Sequence, residues 1–351
     1  MARLPKDPRK SALIAGLRYV SCSSPGLLRK RRGSGFAYFD RDGRPVRDKE
    51  VLRRIRSLVL PPACEQVWIC PLEEGHLQAT GIDARGRRQY RYHPEYRLIR
   101  NQTKFHSMLD FAKALPGIRE QVERDLGRHG LPREKVIATV VRLLEITFIR
   151  VGNEEYAKEN SSFGLTTLRD RHVKFEGGGA MRFHFRGKSA QTHDIKVDDK
   201  RIARIVRECR DLPGYELFQY VDDYGELHAI DSSDVNGYLR QVSGAGFTAK
   251  DFRTWAGTVQ TALALAEIGS FTSETEAKRN VVQAIKRTAS RLGNRPATCR
   301  NYYVHPAILE SYMEGALVDA IQKPHVTGPL HPEEQCVVEV IRKRSMALRA
   351  A

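Results

Sequence analysis

The chain of 351 residues has a formal net charge of +17, with 41% hydrophobic and 29% charged residues, a composition that gives globular structure with room for about two domains. No apolar stretch approaches the roughly 20 residues needed to cross a bilayer, so a spanning helix is excluded. The basic excess is spread along the chain instead of being gathered in one tail. That favours an extended polyanion, nucleic acid, over a small acidic ligand and, without a long basic amphipathic helix, over a membrane surface.

Residues 1 to about 34 read as a basic, loop-like arm, with Pro5, Pro8, Pro25, Gly26 and the run Arg29-Lys-Arg-Arg32. From Phe36 the pattern changes. Phe36-Ala-Tyr-Phe39 is followed by a short helix through Val51 to Leu58, stopped by Pro61-Pro62. Three short runs come next, Gln66 to Cys70, His76 to Thr80 and Arg88 to Tyr92, separated by turn residues, and they predict a small antiparallel sheet with a helix beside it.

The third run is the most informative. Period-two alternation puts Arg88, Tyr90 and Tyr92 on one face and Arg87, Gln89 and Arg91 on the other. Residues 85 to 104 contain seven Lys or Arg and a single acid, Glu95. Arginine neutralises phosphate and tyrosine packs on sugar or base, so the strand suits a DNA surface; taken alone it suits a basic edge strand equally well.

A linker is expected near residues 99–105, and then mostly helix. Val136, Val140, Leu143, Leu144 and Thr147 share helical spacing after Pro132, in a helix predicted to end at Gly152-Asn153 with Arg150 in its last turn. His172 to Phe175, Met181 to Phe185 and Thr192 to Val197 alternate as three antiparallel strands, with Lys188 in the second turn. Helices are predicted over 200–208, 232–242, 254–267, 274–292 and 333–348. Ser273-x-x-Glu276 forms a capping-box pattern at the start of the fourth, and Gly293 follows its end.

Several chemistries are absent from this pattern. Six cysteines lack CxxC or metal-ligand spacing, so neither a zinc ribbon nor a disulfide framework is expected. With an N-terminus lacking an apolar signal core, this predicts a cytoplasmic protein, nucleoid-associated if its polyanion is DNA. Gly187-Lys-Ser189 resembles the end of a phosphate-binding loop, but Arg182 stands where its first glycine belongs, and the context is strand-turn-strand. Nor do carboxylates cluster as they do around paired Mg²⁺ ions. No metal and no cofactor is expected.

What remains is basic: Arg150, Lys188, Arg253 and the segment Asn294 to Tyr303. Ile149-Arg-Val-Gly-Asn153, the hairpin lysine, Lys250-Asp-Phe-Arg-Thr-Trp-Ala-Gly257 and Tyr303-Val-His-Pro306, in that order, resemble the poxvirus-like type IB DNA topoisomerases in their bacterial branch. Gly86-Arg-Arg-Gln-Tyr-Arg-Tyr-His93 is similar to the DNA-facing strand of that family. The resemblance covers about residues 30 to 320. It implies an α+β protein: a small N-terminal antiparallel β-sheet domain over residues 1–100, and a larger, mainly α-helical catalytic domain with a three-stranded β-sheet over 105–351. The two are expected to act as a monomeric clamp on duplex DNA.

The resemblance also implies the chemistry. One DNA strand is cut through a 3′-phosphotyrosyl bond, the duplex rotates, and the strand is resealed without ATP. Tyr303 is the implied nucleophile in preference to its neighbour Tyr302. Lys188 is the implied general acid, and Arg150 and Arg253 are the phosphate-binding cations. Asn294, nine residues before Tyr303, stands where this family more often has histidine; it keeps a donor and cannot carry charge. Arg88, Gln89, Tyr90, Tyr92 and Lys250 are the implied DNA contacts. Two other readings fit part of the pattern. A tyrosine recombinase shares the Arg, Lys, Arg, Tyr logic but has histidine where this chain has Lys250, and a non-catalytic DNA-binding protein accounts for the charge alone.

Overall fold

The computed structural model describes residues 7–84, 86–322 and 328–350. Two compact units divide between Ser107 and Met108. The first six residues of the expected arm, and Arg85, lie outside the described residues.

In the first unit the arm is more ordered than its composition predicts. Asp7 caps a short helix, α1 (Pro8–Ile14), by accepting from the Arg9 N–H, and Pro8 occupies the first helical turn. The basic run then forms β1 (Leu27–Arg32), paired antiparallel with β2 (Gly35–Phe39). Arg29 explains how such a charged run fits a sheet: its guanidinium donates to the carbonyls of Leu60, Pro61 and Cys64 and lies 4.1 Å from the Phe36 ring centroid. Helix α2 (Lys49–Ser57) is capped by Asp48. Strands β3 (Glu65–Ile69), β4 (Leu77–Ile82) and β5 (Arg88–Tyr92) complete a five-stranded sheet in the order β2-β1-β3-β4-β5. Its core is Ile55, Val67, Ile69 and Ala79, with Val51 and Leu58 packed against them. The expected small antiparallel sheet with a helix beside it is present, with two more strands than the three predicted runs.

The expected linker over 99–105 is instead helical. Helix α3 (Pro94–Leu126) runs unbroken across the division between the units, because residues 95–115 contain neither glycine nor proline to stop it.

The second unit is mainly helical, as the sequence predicts. Helix α4 (Arg133–Thr147) ends earlier than expected, on Phe148 in the left-handed region, so Arg150 lies beyond the helix instead of in its last turn. After α5 (Glu154–Asn160) come β6 (Val173–Phe175), β7 (Met181–Arg186) and β8 (Thr192–Val197), an antiparallel sheet in that order. Helix α6 (Lys200–Arg210) leads to a hairpin the sequence did not reveal, β9 (Gln219–Val221) and β10 (Leu227–Ala229). Three-residue strands carry too little alternation to be read.

Helix α7 (Ser232–Ser243) precedes α8 (Ala249–Ile268), which starts five residues before the predicted Thr254 because the Asp251 carboxylate accepts from both the N–H and the hydroxyl of Thr248. Arg253 is therefore inside a helix. Helix α9 (Glu274–Leu292) begins at Ser273, whose hydroxyl accepts from Glu276 N–H, and stops at Gly293, φ +58°. The reciprocal arm of the expected capping box goes elsewhere: the Glu276 carboxylate accepts from the N–H and hydroxyl of Thr272. Helices α10 (Pro296–Tyr303), α11 (Pro306–Met313), α12 (Leu317–Gln322) and α13 (Pro332–Ala350) complete the chain. Helix α8 is the centre of the unit, packed against α4, α9, α10, α12 and α13, and its small residues Ala256, Gly257, Ala262 and Ala264 let those neighbours approach closely.

Candidate active site

Four of the five expected catalytic residues meet where the chain leaves three helices. Arg253, on the second turn of α8, is only 3% exposed. Its guanidinium donates to two helix-end carbonyls, Phe148 after α4 and Leu292 at 2.6 Å at the end of α9. Those orphan acceptors are available because each helix end leaves carbonyls without intrahelical partners. Arg150 donates to the next carbonyl, Gly293, at 3.1 Å and to the Asn294 side-chain oxygen. The left-handed stop at Gly293 is what turns Asn294 back toward Arg150.

Among the described residues neither arginine has a carboxylate partner. Burial, then the like charge of Arg150, lowers the Arg253 pKa, and burial lowers that of Arg150. Guanidinium is basic enough to stay charged through such shifts. Two desolvated cations are thus held by neutral carbonyls and an amide, an arrangement that favours an incoming anion. Two donors are also left over. Among the described residues, the buried side-chain polar atoms without a partner are Arg253 Nε and Asn294 Nδ2.

The Tyr303 ring lies 5.4 Å from the Arg253 guanidinium, and the tyrosine interacts electrostatically with both arginines. Tyr302, one residue earlier, is 45% exposed. Two residues that sequence reasoning did not single out seat Tyr303. A Cβ added at Gly257, four residues after Arg253, would come within 2.5 Å of the Tyr303 carbonyl oxygen, so only glycine permits this approach of α10. The Thr258 hydroxyl accepts from His305 N–H at 3.1 Å and shares its proton between the Thr254 carbonyl at 3.1 Å and that same Tyr303 carbonyl at 3.3 Å, fixing the chain where α10 ends. The only signal in the sequence is a glycine inside an apolar helix, one turn from a buried arginine.

Lys188 is exposed, in a tight turn between β7 and β8 whose next two residues, Ser189 and Ala190, lie in the left-handed region. The base of that turn is near the other residues: the His193 ring of β8 sits against Gly187 on one side and Gly293 on the other. In the first unit, Tyr90 and Tyr92 share a face of β5, as the alternation predicts, their rings stacked at 6.0 Å and 8°, and both are exposed. Gln89 donates to Asp83 at 2.9 Å and Arg88 approaches Cys22 Sγ at 3.4 Å. Lys250 is exposed on the first turn of α8. A His, Asp and Glu grouping, Asp222, Glu226 and His228, lies at the β9–β10 turn, where Asp222 already accepts from the backbone of Tyr224 and Glu226.

Comparison with known proteins identifies the family. Residues 93–323 match the family model of the eukaryotic DNA topoisomerase I catalytic core, and residues 35–83 match that of the bacterial DNA topoisomerase IB N-terminal domain. The chain is 30% identical to DNA topoisomerase 1B of Acanthamoeba polyphaga mimivirus, over 82% of this chain and 87% of that one. It is 24% identical to DNA topoisomerase 1B of Vaccinia virus (strain Copenhagen), over 74% and 79% respectively. With a matched core whose range contains Arg150, Arg253, Asn294 and Tyr303, the chain belongs to the type IB DNA topoisomerases.

Proposed function

We propose that this enzyme relaxes supercoiled duplex DNA by reversible transesterification. The Tyr303 hydroxyl attacks the phosphorus of one strand, forming a 3′-phosphotyrosyl bond as the bond from phosphorus to the 5′-oxygen breaks. The phenol proton passes to water, and Lys188 gives its proton to the leaving 5′-oxygen. Rotation of the free end removes supercoils. Reversal, with the 5′-hydroxyl attacking and Lys188 taking its proton back, reseals the strand. The covalent bond conserves the energy of the one broken, so ATP has no step to drive.

The observation that supports this reading most directly is the pair of arginines beside Tyr303, held by neutral carbonyls and an amide, together with the two donors left without a partner among the described residues, Arg253 Nε and Asn294 Nδ2. Charge builds on the nonbridging oxygens in such a reaction, and preorganised donors in a desolvated site stabilise it most. Arg150, Arg253 and Asn294 take that role. Duplex DNA is the partner: Lys250 and Arg88 contact phosphate, and Gln89, Tyr90 and Tyr92 meet backbone or bases.

The test is relaxation of plasmids of both supercoil signs, with chelator and without ATP or any recombination site, alongside trapping of the protein–DNA adduct with detergent. The wild type should relax both signs to a ladder. Tyr303→Phe should lose relaxation and adduct, while Tyr302→Phe should keep activity within about tenfold. The opposite pattern would move the nucleophile to Tyr302, and an active enzyme that forms no adduct would remove the mechanism.

A further inference from the structure

His193 has no part in the chemistry above, yet it occupies the join between two of its components. It stands on β8 opposite Phe185 of β7, the rings stacked at 4.9 Å and 14°. A Cβ added at Gly187 would lie 2.6 Å from the His193 Cδ2 and 2.7 Å from its Nε2. A Cβ added at Gly293 would lie 2.5 Å from its Cε1 and 3.1 Å from its Nε2. Gly187 immediately precedes Lys188, and Gly293 immediately precedes Asn294. One flat ring therefore spaces the backbone of the Lys188 turn from the backbone that presents Asn294.

The two glycines have different causes. Gly293 needs to be glycine for its left-handed backbone, φ +58°. Gly187 does not: its φ of −99° is open to any residue, so the close approach of His193 is what requires a missing side chain there. The turn itself is costly to hold, since Ser189 and Ala190 both have positive φ, +63° and +62°. A turn of that kind keeps its geometry when its base is pinned, and His193 pins it.

We propose that His193 is a positioning residue that seats the Lys188 turn on the C-terminal end of α9, bringing the lysine and Asn294 to the same phosphodiester. This rests on the assignment of Lys188 as general acid. The electrostatics agree with a spacer in place of a proton donor. Burial, then the cations of Arg150 and Arg253, pushes the His193 pKa down to about 4, so near neutral pH the ring adds no third charge to the site.

The experiment measures single-turnover cleavage of a duplex at a mapped cleavage position, with the 5′-bridging atom as oxygen or as sulfur. A thiolate leaves without being protonated, so sulfur removes the need for a general acid and for whatever positions it. On the oxygen substrate His193→Ala and Gly187→Ala should each be slowed about tenfold or more, and on the sulfur substrate each should come within about threefold of wild type. DNA affinity, measured by titration, should be unchanged in both. If His193→Ala is too unstable to assay, Gly187→Ala, whose new methyl displaces the ring, carries the comparison. Wild-type rates on oxygen, or equal slowing on both substrates, would overturn the proposal. Lys188→Ala separates the two ideas. If sulfur does not restore Lys188→Ala, the general-acid assignment falls and this inference with it; if sulfur restores Lys188→Ala but neither His193→Ala nor Gly187→Ala, the inference alone falls.

Discussion

At Asn294 one amide does two things. Its oxygen accepts from Arg150, and its nitrogen is buried without a protein partner. A histidine at this position brings a ring and a possible charge; the amide brings a neutral donor already oriented by an arginine. Asn294→Ala should therefore cost about 10²-fold in single-turnover cleavage, the usual loss for one donor to a charged transition state. Asn294→Asp should cost more, although it keeps an acceptor for Arg150, because it replaces the donor with a like charge facing the phosphate. Cleavage rates of the two variants at equal DNA occupancy check this, and an aspartate variant faster than the alanine one would count against the donor role.

Helix α8 and the final helix act together at the next scale up. Glu334, on α13, accepts both Arg119 guanidinium nitrogens, at 2.7 and 2.9 Å, and the Trp255 indole N–H at 2.8 Å. Arg119 also bonds Glu145 of α4 at 2.6 Å. Burial alone would raise the Glu334 pKa, but the Arg119 and Trp255 contacts outweigh it and lower it. Trp255 is two residues from Arg253, and Glu334 lies beyond residue 323, where the match to the family's catalytic core ends. The last helix thus clasps the element that carries a site arginine. Glu334→Gln keeps the shape and removes the charge, leaving Arg119 with one carboxylate. It should destabilise the second unit by about 2 to 4 kcal/mol, less than breaking an isolated buried pair because Glu145 remains. Urea unfolding of the two proteins measures it.

For the whole molecule, charge sets both binding and acid sensitivity. With a net charge of +17, affinity for duplex DNA should fall linearly in log–log terms with salt, and Arg88→Ala should reduce that slope by about one if the residue meets a phosphate. Titrations at several salt concentrations check this; an unchanged slope removes Arg88 from the phosphate contacts. Acid should weaken the fold. His172 is buried, accepts from Arg169 N–H at 2.9 Å, and has its pKa pushed down from 6.5 to about 4 by burial, then by Arg171 and Arg169. Its unfolded state binds the proton more readily, so its contribution is complete above about pH 6.5 and is lost as pH falls toward 4. Glu334, with a lowered pKa, adds loss in the same direction further down. Stability measured between pH 7 and 4 should drop, and His172→Asn should flatten part of that drop by on the order of 1 to 3 kcal/mol.

The sequence by itself determined the class of the fold and the main strands and helices of both units, and it named candidate residues, four of which the fold brings together. Alternation over Arg88 to Tyr92, the stop at Gly293 and the three strands between His172 and Val197 are local signals, and they survive because neighbouring residues alone enforce them. It misread the arm, where α1 and β1 form through Asp7 and the tertiary partners of Arg29, and the linker, where nothing interrupts α3. It could not show what brings distant residues together. Arg253 meets the ends of α4 and α9 because those ends have carbonyls to offer, Gly257 lets Tyr303 close, and His193 fills the gap between two glycines more than a hundred positions apart. Only tertiary structure decides such contacts, because each depends on packing between segments whose separation along the chain leaves no periodic trace in sequence.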